Sequence, residues 1–110
     1  MKTLLRSLAV LAATVSFAFG SEGWMTNWEE AKAKAKAENK PILINLTGSD
    51  WCGWCIKLDK EVFSKKEFKD YAKENLVLVE LDFPQGKRQS KKLQEQNEKL
   101  TGLIAKAKAK

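Results

Sequence analysis

Two cysteines stand three residues apart in the string Trp51-Cys52-Gly53-Trp54-Cys55, between an apolar run and a stretch of helical character. A pair at this spacing closes a disulfide across one helical turn and opens it again. If a helix begins at Cys52, unpaired backbone N–H groups and the helix dipole favour that residue's thiolate. The thiolate is the attacking species in disulfide exchange. Two other uses of the pair stay open. A purely structural staple closing so short a loop contributes only about 2 kcal/mol of chain entropy, far less than one tying distant segments. Half of a zinc site would need carboxylates to complete four ligands, because the chain has no histidine and no third cysteine. The spacing favours a reactive pair with no metal. The absence of histidine excludes Cys-His nucleophilic catalysis.

Residues 1–20 read as a secretory signal peptide. Lys2 and Arg6 open it, residues 8–19 form an apolar run broken only by Thr14 and Ser16, and Ala18 and Gly20 put small residues before a cut at Ser21. The run falls short of the roughly twenty residues of a spanning helix. No stable membrane span is expected after cleavage, and the product is exported, to the periplasm or beyond the cell. Export implies an oxidising compartment, where disulfides persist. A secreted disulfide framework normally carries four or more cysteines, so two so close together again point to a reactive pair. The chain carries 20 basic against 14 acidic residues. Much of the excess is Ala-Lys alternation at 31–37 and 105–110, which reads as solvated helix face. No Arg cluster or aromatic-studded strand accompanies it, so nucleic acid is not an expected partner.

The remaining residues, 21–110, fit one small α/β domain. Residues 26–39 read as a helix, with Thr26/Glu29 or Asn27/Glu30 as a capping box and Trp28, Ala31 and Ala35 inward. Residues 41–47 (PILINLT) are a strand whose consecutive apolar residues predict burial on both faces. The cysteine helix follows, with Leu58 and Val62 continuing its inward side. Ser64 and Glu67 predict a second capping box, opening a helix to Asn75 with Phe68, Tyr71 and Ala72 inward. Residues 76–83 (LVLVELDF) are the second strand. After a polar loop, a last helix starts near Ser90, with Leu93, Asn97, Leu100 and Ile104 on one stripe and a tail fraying into Ala-Lys repeats. Two buried-type strands joined through helices imply a crossover and a parallel pair.

Strand, short loop, W-C-x-x-C and helix together resemble the thioredoxin superfamily. The string TGSDWCGWCIKLDKEVF (residues 47–63) and the later LVELDFP (78–84) are similar to exported bacterial thioredoxin-like proteins. The resemblance spans about residues 28–100. It implies a redox disulfide Cys52–Cys55, with Cys52 as nucleophile and the more buried Cys55 resolving a mixed disulfide with a protein substrate. Electrons would come from a redox partner protein, with no bound cofactor. Trp51 would cover the pair, Gly53 would let the turn tighten, and Trp54 takes a position held by proline in thioredoxin. Asn45 falls where many thioredoxins place a buried acid behind the cysteines; an amide does not titrate, so that proton relay would be absent or carried by water. Asp50 and Lys57 are nearby charged alternatives, and each also reads as a plain solvated charge.

The family pattern continues with a strand preceded by a cis-proline, another strand and a closing helix. Here the prolines are Pro41 and Pro84, and neither precedes a strand in that place. The expectation is therefore the N-terminal part of the fold, with the C-terminal strands and helix missing and the gene truncated after about Leu100. A partner supplying strands, or self-association, would otherwise cover the open strand edges. The intact W-C-G-W-C favours a thiol–disulfide oxidoreductase. The missing segment favours the alternative, a non-catalytic fragment or protein-binding module using its tryptophan-rich surface.

Overall fold

The computed structural model describes residues 23–108, with side chains through 107. The leader expected at 1–20 lies outside the described residues. Helix α1 runs Trp28–Glu38. Of the two possible caps the Asn27 register forms: Asn27 has extended backbone (φ −95°, ψ 118°) and its Oδ1 accepts the Glu30 N–H at 3.0 Å. Glu29 and Glu30 then sit at the positive end of the helix dipole. Asn39 ends the helix in the left-handed region (φ 55°), a conformation asparagine tolerates better than most residues. Pro41 follows and the chain turns directly into strand β1, Ile42–Thr47.

Strand β2, Val77–Asp82, pairs with β1 in parallel, in a register that runs from Ile42 opposite Val77 to Thr47 opposite Asp82. Its other edge is taken by Met25, whose N–H donates to Leu78 O (2.8 Å) and whose carbonyl accepts from Glu80 N (2.9 Å). Val77, Val79 and Leu81 alternate as fully buried positions. With Met25, Ala31 and Leu100 they form the core, flanked by Trp28, Ala35, Ile42 and Ile44. The inward positions expected on α1 are therefore found. Burial of β1 on both faces is not: the strand is half-buried and Leu46 is exposed. The reason is position, since among the described residues no strand covers the outer edge of β1.

The cysteine helix, α2, spans Gly53–Leu58 and runs on through a π-helical turn, Asp59–Phe63. That turn corrects the expected inward face. Its wider winding, marked by Ser64 N donating to Asp59 O at 2.8 Å, delays the inward position by one residue. Phe63 turns in against buried Trp24 (ring centroids 5.0 Å apart) and Phe68 (4.9 Å), while Leu58 and Val62 stay exposed.

Helix α3, Lys66–Asn75, follows without the expected Ser64/Glu67 capping box. Ser64 serves as the C-terminal cap of the preceding turn instead, its hydroxyl donating to Lys60 O at 2.8 Å. Ala72 is buried and Phe68 half-buried, but Tyr71 is 60% exposed. It lies about 100° around the helix from Ala72, off the docked side. Helix α4, Lys91–Lys108, carries the expected stripe, with Asn97 and Leu100 buried and Leu93 and Ile104 half-buried. Its Ala-Lys tail stays helical to Lys108 rather than fraying. Among the described residues no helix is long and apolar enough to cross a membrane.

Burial predicts an asymmetry between the two strands. Leu81→Ala should cost about 2–5 kcal/mol in urea unfolding, the usual range for a buried leucine. Leu46→Ala, on the same sheet face but 41% exposed, should cost under about 1 kcal/mol by area removed from water.

Candidate functional site

Cys52 and Cys55 are joined in a disulfide, with Cα atoms 5.2 Å apart, within the span a disulfide bridges without distortion of the backbone. Cys52 is the N-cap of α2: its backbone is extended (φ −86°, ψ 101°) and its Sγ accepts the Cys55 N–H at 3.3 Å. The sulfur thus occupies the place of a capping oxygen, facing N–H groups that lack helical partners. Both cysteines are half-buried, with no clear division into an open first and a covered second residue. Among the described residues no group of three or more histidine, cysteine or acidic side chains is arranged to hold a metal ion.

The loop between β1 and Cys52 is bound to the loop after β2. Ser49 donates from its N–H to Asp82 Oδ1 (2.9 Å) and from its hydroxyl to Asp82 Oδ2 (2.6 Å). Asp50 accepts in the opposite direction, from Gln85 N at 3.0 Å and Gly86 N at 2.7 Å. The Trp51 indole N–H donates to Phe83 O at 2.6 Å. Gly48 O accepts from both Trp51 N (3.1 Å) and Cys52 N (2.8 Å). The Gln85 N–H holds the Asp50 carboxyl below its ordinary value of 3.8; desolvation opposes this, and the Gly86 N–H, its own N–H and Lys87 add to the lowering.

Of the other residues singled out in the sequence, Trp54 is 80% exposed and Lys57 reaches over its ring, Nζ 5.5 Å from the centroid. Asn45 is half-buried on β1 with Glu80 as its register neighbour; among the described residues no hydrogen bond joins it to either cysteine. Gly53 has no positive φ, and a methyl group there would meet nothing, so the turn does not rely on it. The close approach belongs to Gly48, where a methyl group would collide with the Trp51 indole. Ser49, Asp82, Phe83 and Asn97 were not marked as site residues by the sequence. The signal available was that Ser49 lies just past the run 41–47 and Asp82 near the end of the run 76–83, which brings both to one end of the sheet if the strands are parallel.

A family model described as thioredoxin-like matches residues 23–102. The chain belongs to the thioredoxin-like family. It is 42% identical over 76 residues to the disulfide bond reductase DsbH of Chlamydia pneumoniae, a match covering 66% of this chain and 46% of that protein. It is 33% identical over 99 residues to the thioredoxin-related protein DsbJ of the same organism, covering 88% of this chain and 28% of that one. A solved structure of a DsbH oxidoreductase superposes with a TM-score of 0.69 at 34% identity, over 86% of this chain and 61% of the other. The chain thus spans less than half the length of these two curated relatives. The thioredoxin-like fold and a disulfide-forming cysteine pair are common ground between the expectation and the finding.

Two outcomes follow from this geometry. Gly48→Ala should displace the Trp51 ring and change its fluorescence and the melting temperature, whereas Gly53→Ala should leave both nearly unchanged. Because the folded carboxyl of Asp50 titrates below its ordinary value, its contribution is present above pH 3.8 and is lost as pH falls through the lower folded value. The amide proton shifts of Gln85 and Gly86 in NMR should therefore titrate with a midpoint under 3.8.

Proposed function

We propose that this protein is a thiol–disulfide oxidoreductase acting on protein substrates through Cys52 and Cys55. The observation that carries the proposal is the position of the pair: a disulfide seated at a helix start, with the Cys52 sulfur accepting the Cys55 N–H as the helix cap. In the reduced protein that sulfur is the better thiolate of the two. It attacks a substrate disulfide, forming a Cys52–substrate bond and expelling one substrate sulfur, which takes up a proton. Cys55, three residues on, then attacks Cys52. The mixed disulfide breaks, Cys52–Cys55 forms, and the second substrate thiol leaves. Two electrons pass to the substrate. No bound cofactor takes part, and a partner dithiol restores the reduced pair.

The reducing direction is favoured by the name of the relative DsbH, a disulfide bond reductase. Exposed Trp54 and half-exposed Trp51 offer apolar contact to an extended substrate segment beside the sulfurs. The leader-like residues 1–20 favour work outside the cytoplasm. The same exposed tryptophans also favour a second reading, a protein-binding module without redox turnover.

Insulin reduction with dithiothreitol as electron source separates the two. The wild-type chain should accelerate precipitation of the insulin B chain, and Cys52→Ser should fall to the rate of dithiothreitol alone. Cys55→Ser should accumulate a dithiothreitol-sensitive adduct with the substrate. Equal rates for wild type and Cys52→Ser would leave only the binding module.

A further inference from the structure

We propose that Asp82 and Asp50 are positioning residues for the dithiol, forming a reciprocal carboxylate clasp that holds Cys52 at the start of its helix. The inference rests on the oxidoreductase reading of Cys52 and adds to it two side chains that never touch the sulfurs. The clasp takes hold of three consecutive residues. Ser49 is tied to Asp82 by two bonds, Asp50 to Gln85 and Gly86 by two more, and Trp51 to Phe83 by one. The next residue is Cys52.

Each carboxylate uses both oxygens on the opposite loop, so the loops cannot shear without breaking charge-assisted bonds, the stronger class of hydrogen bond. The clasp is also braced from behind. The Asp82 carbonyl accepts from Gln89 Nε2 (2.9 Å) and from Asn97 Nδ2 (3.0 Å), and Asn97 is a fully buried residue of α4. The Asp82 carboxylate therefore reaches forward from a fixed backbone.

Ser49, Asp50, Gln85 and Gly86 are exposed, and the Asp82 side chain at the end of β2 is 13% exposed, so the clasp is a set of polar bonds rather than apolar packing. Its effect falls on the backbone that sets Cys52 as an N-cap. With the loop loosened, the Cys52 sulfur spends part of its time away from the helix N–H groups and its thiolate loses their field. The sign is diagnostic. Deleting a nearby negative charge, and with Asp82 also unpairing Lys87 (Nζ to Asp82 Oδ2 3.7 Å), taken alone makes a thiolate easier to form. Deleting the clasp makes it harder.

The test is the pH–rate profile of iodoacetamide alkylation at Cys52 in the reduced full chain, with the modified residue identified by peptide mass. Wild type should label faster at neutral pH than free glutathione. Asp82→Ala and Asp50→Ala should label about 3- to 10-fold more slowly at pH 7, with midpoints moved up toward an ordinary thiol. Ser49→Ala, which leaves the charge unchanged, should move the midpoint the same way by less. Asp82→Asn should recover most of the rate, since its amide accepts the Ser49 N–H and donates to the Ser49 hydroxyl. Midpoints unmoved or lowered in folded variants, beside a fast wild type, overturn the clasp alone. If the alanine variants at 50 and 82 lose their circular dichroism signal, Ser49→Ala decides: an unmoved midpoint there overturns it. A wild type no faster than glutathione takes the oxidoreductase reading down as well.

Discussion

The in-register parallel pairing of β1 with β2 is the constraint on which the remaining structure depends. It sets Thr47 beside Asp82 and so delivers two loops to one end of the sheet. The register is specified by burial. Ile42 and Ile44 pack with the core to which Val77, Val79 and Leu81 belong, and a slip of one residue would turn an alternating strand inside out. The same slip would carry Asp82 away from Ser49. The geometry ahead of Cys52 is therefore inherited from the core several residues below it, and a substitution in β2 reaches the cysteines through register rather than through contact.

The sequence made legible whatever was local and strongly patterned. The cysteine pair, both strands, one of the two caps offered for α1 and the stripe on α4 are legible in short windows, and they stand in the structure where they are expected. What it concealed had two causes. One was a change of helical winding: a single π turn moved the inward position from Val62 to Phe63, and its C-terminal cap claimed the Ser64 hydroxyl that should have capped the next helix. Periodicity analysis assumes one winding and has no means of seeing another. The second cause was distance along the chain. Ser49 and Asp82 lie 33 residues apart, and their bond exists only once the register is known. The glycines teach the same lesson, since Gly48 is required by an indole three residues on and not by its own turn.

Surface around the cysteines is more apolar than an idle exterior would be. Trp51, Trp54, Ile56, Leu58 and Val62 are all exposed along the loop and helix that carry the pair. The π turn, which Leu58 precedes, accounts for Val62 by leaving it outside. It does not account for Trp54, which stands almost free at the second position of α2. A large ring in that place is costly to hydrate, and under the proposed function a substrate segment lying over it would relieve that cost.

Helix α4 is fixed by two amides as much as by packing. Gln96 accepts from Trp28 N at 2.9 Å and donates to Thr26 O at 2.9 Å, holding the start of α1. Asn97 holds the end of β2 through Asp82 O. An apolar stripe of Leu93, Leu100 and Ile104 alone would tolerate a slide of one turn along the helix axis, because apolar contact is non-directional. Such a slide would bring Leu93 or Thr101 to the Asn97 position. With leucine there, the Asp82 carbonyl would keep only its bond from Gln89 Nε2, and either slide would part the buried Asn97 amide from its acceptor, a loss of about 1–3 kcal/mol. A buried polar residue that selects one register in this way is a known use of such groups. Here the selected register decides where the Asp82 backbone sits, and with it the loop that precedes Cys52.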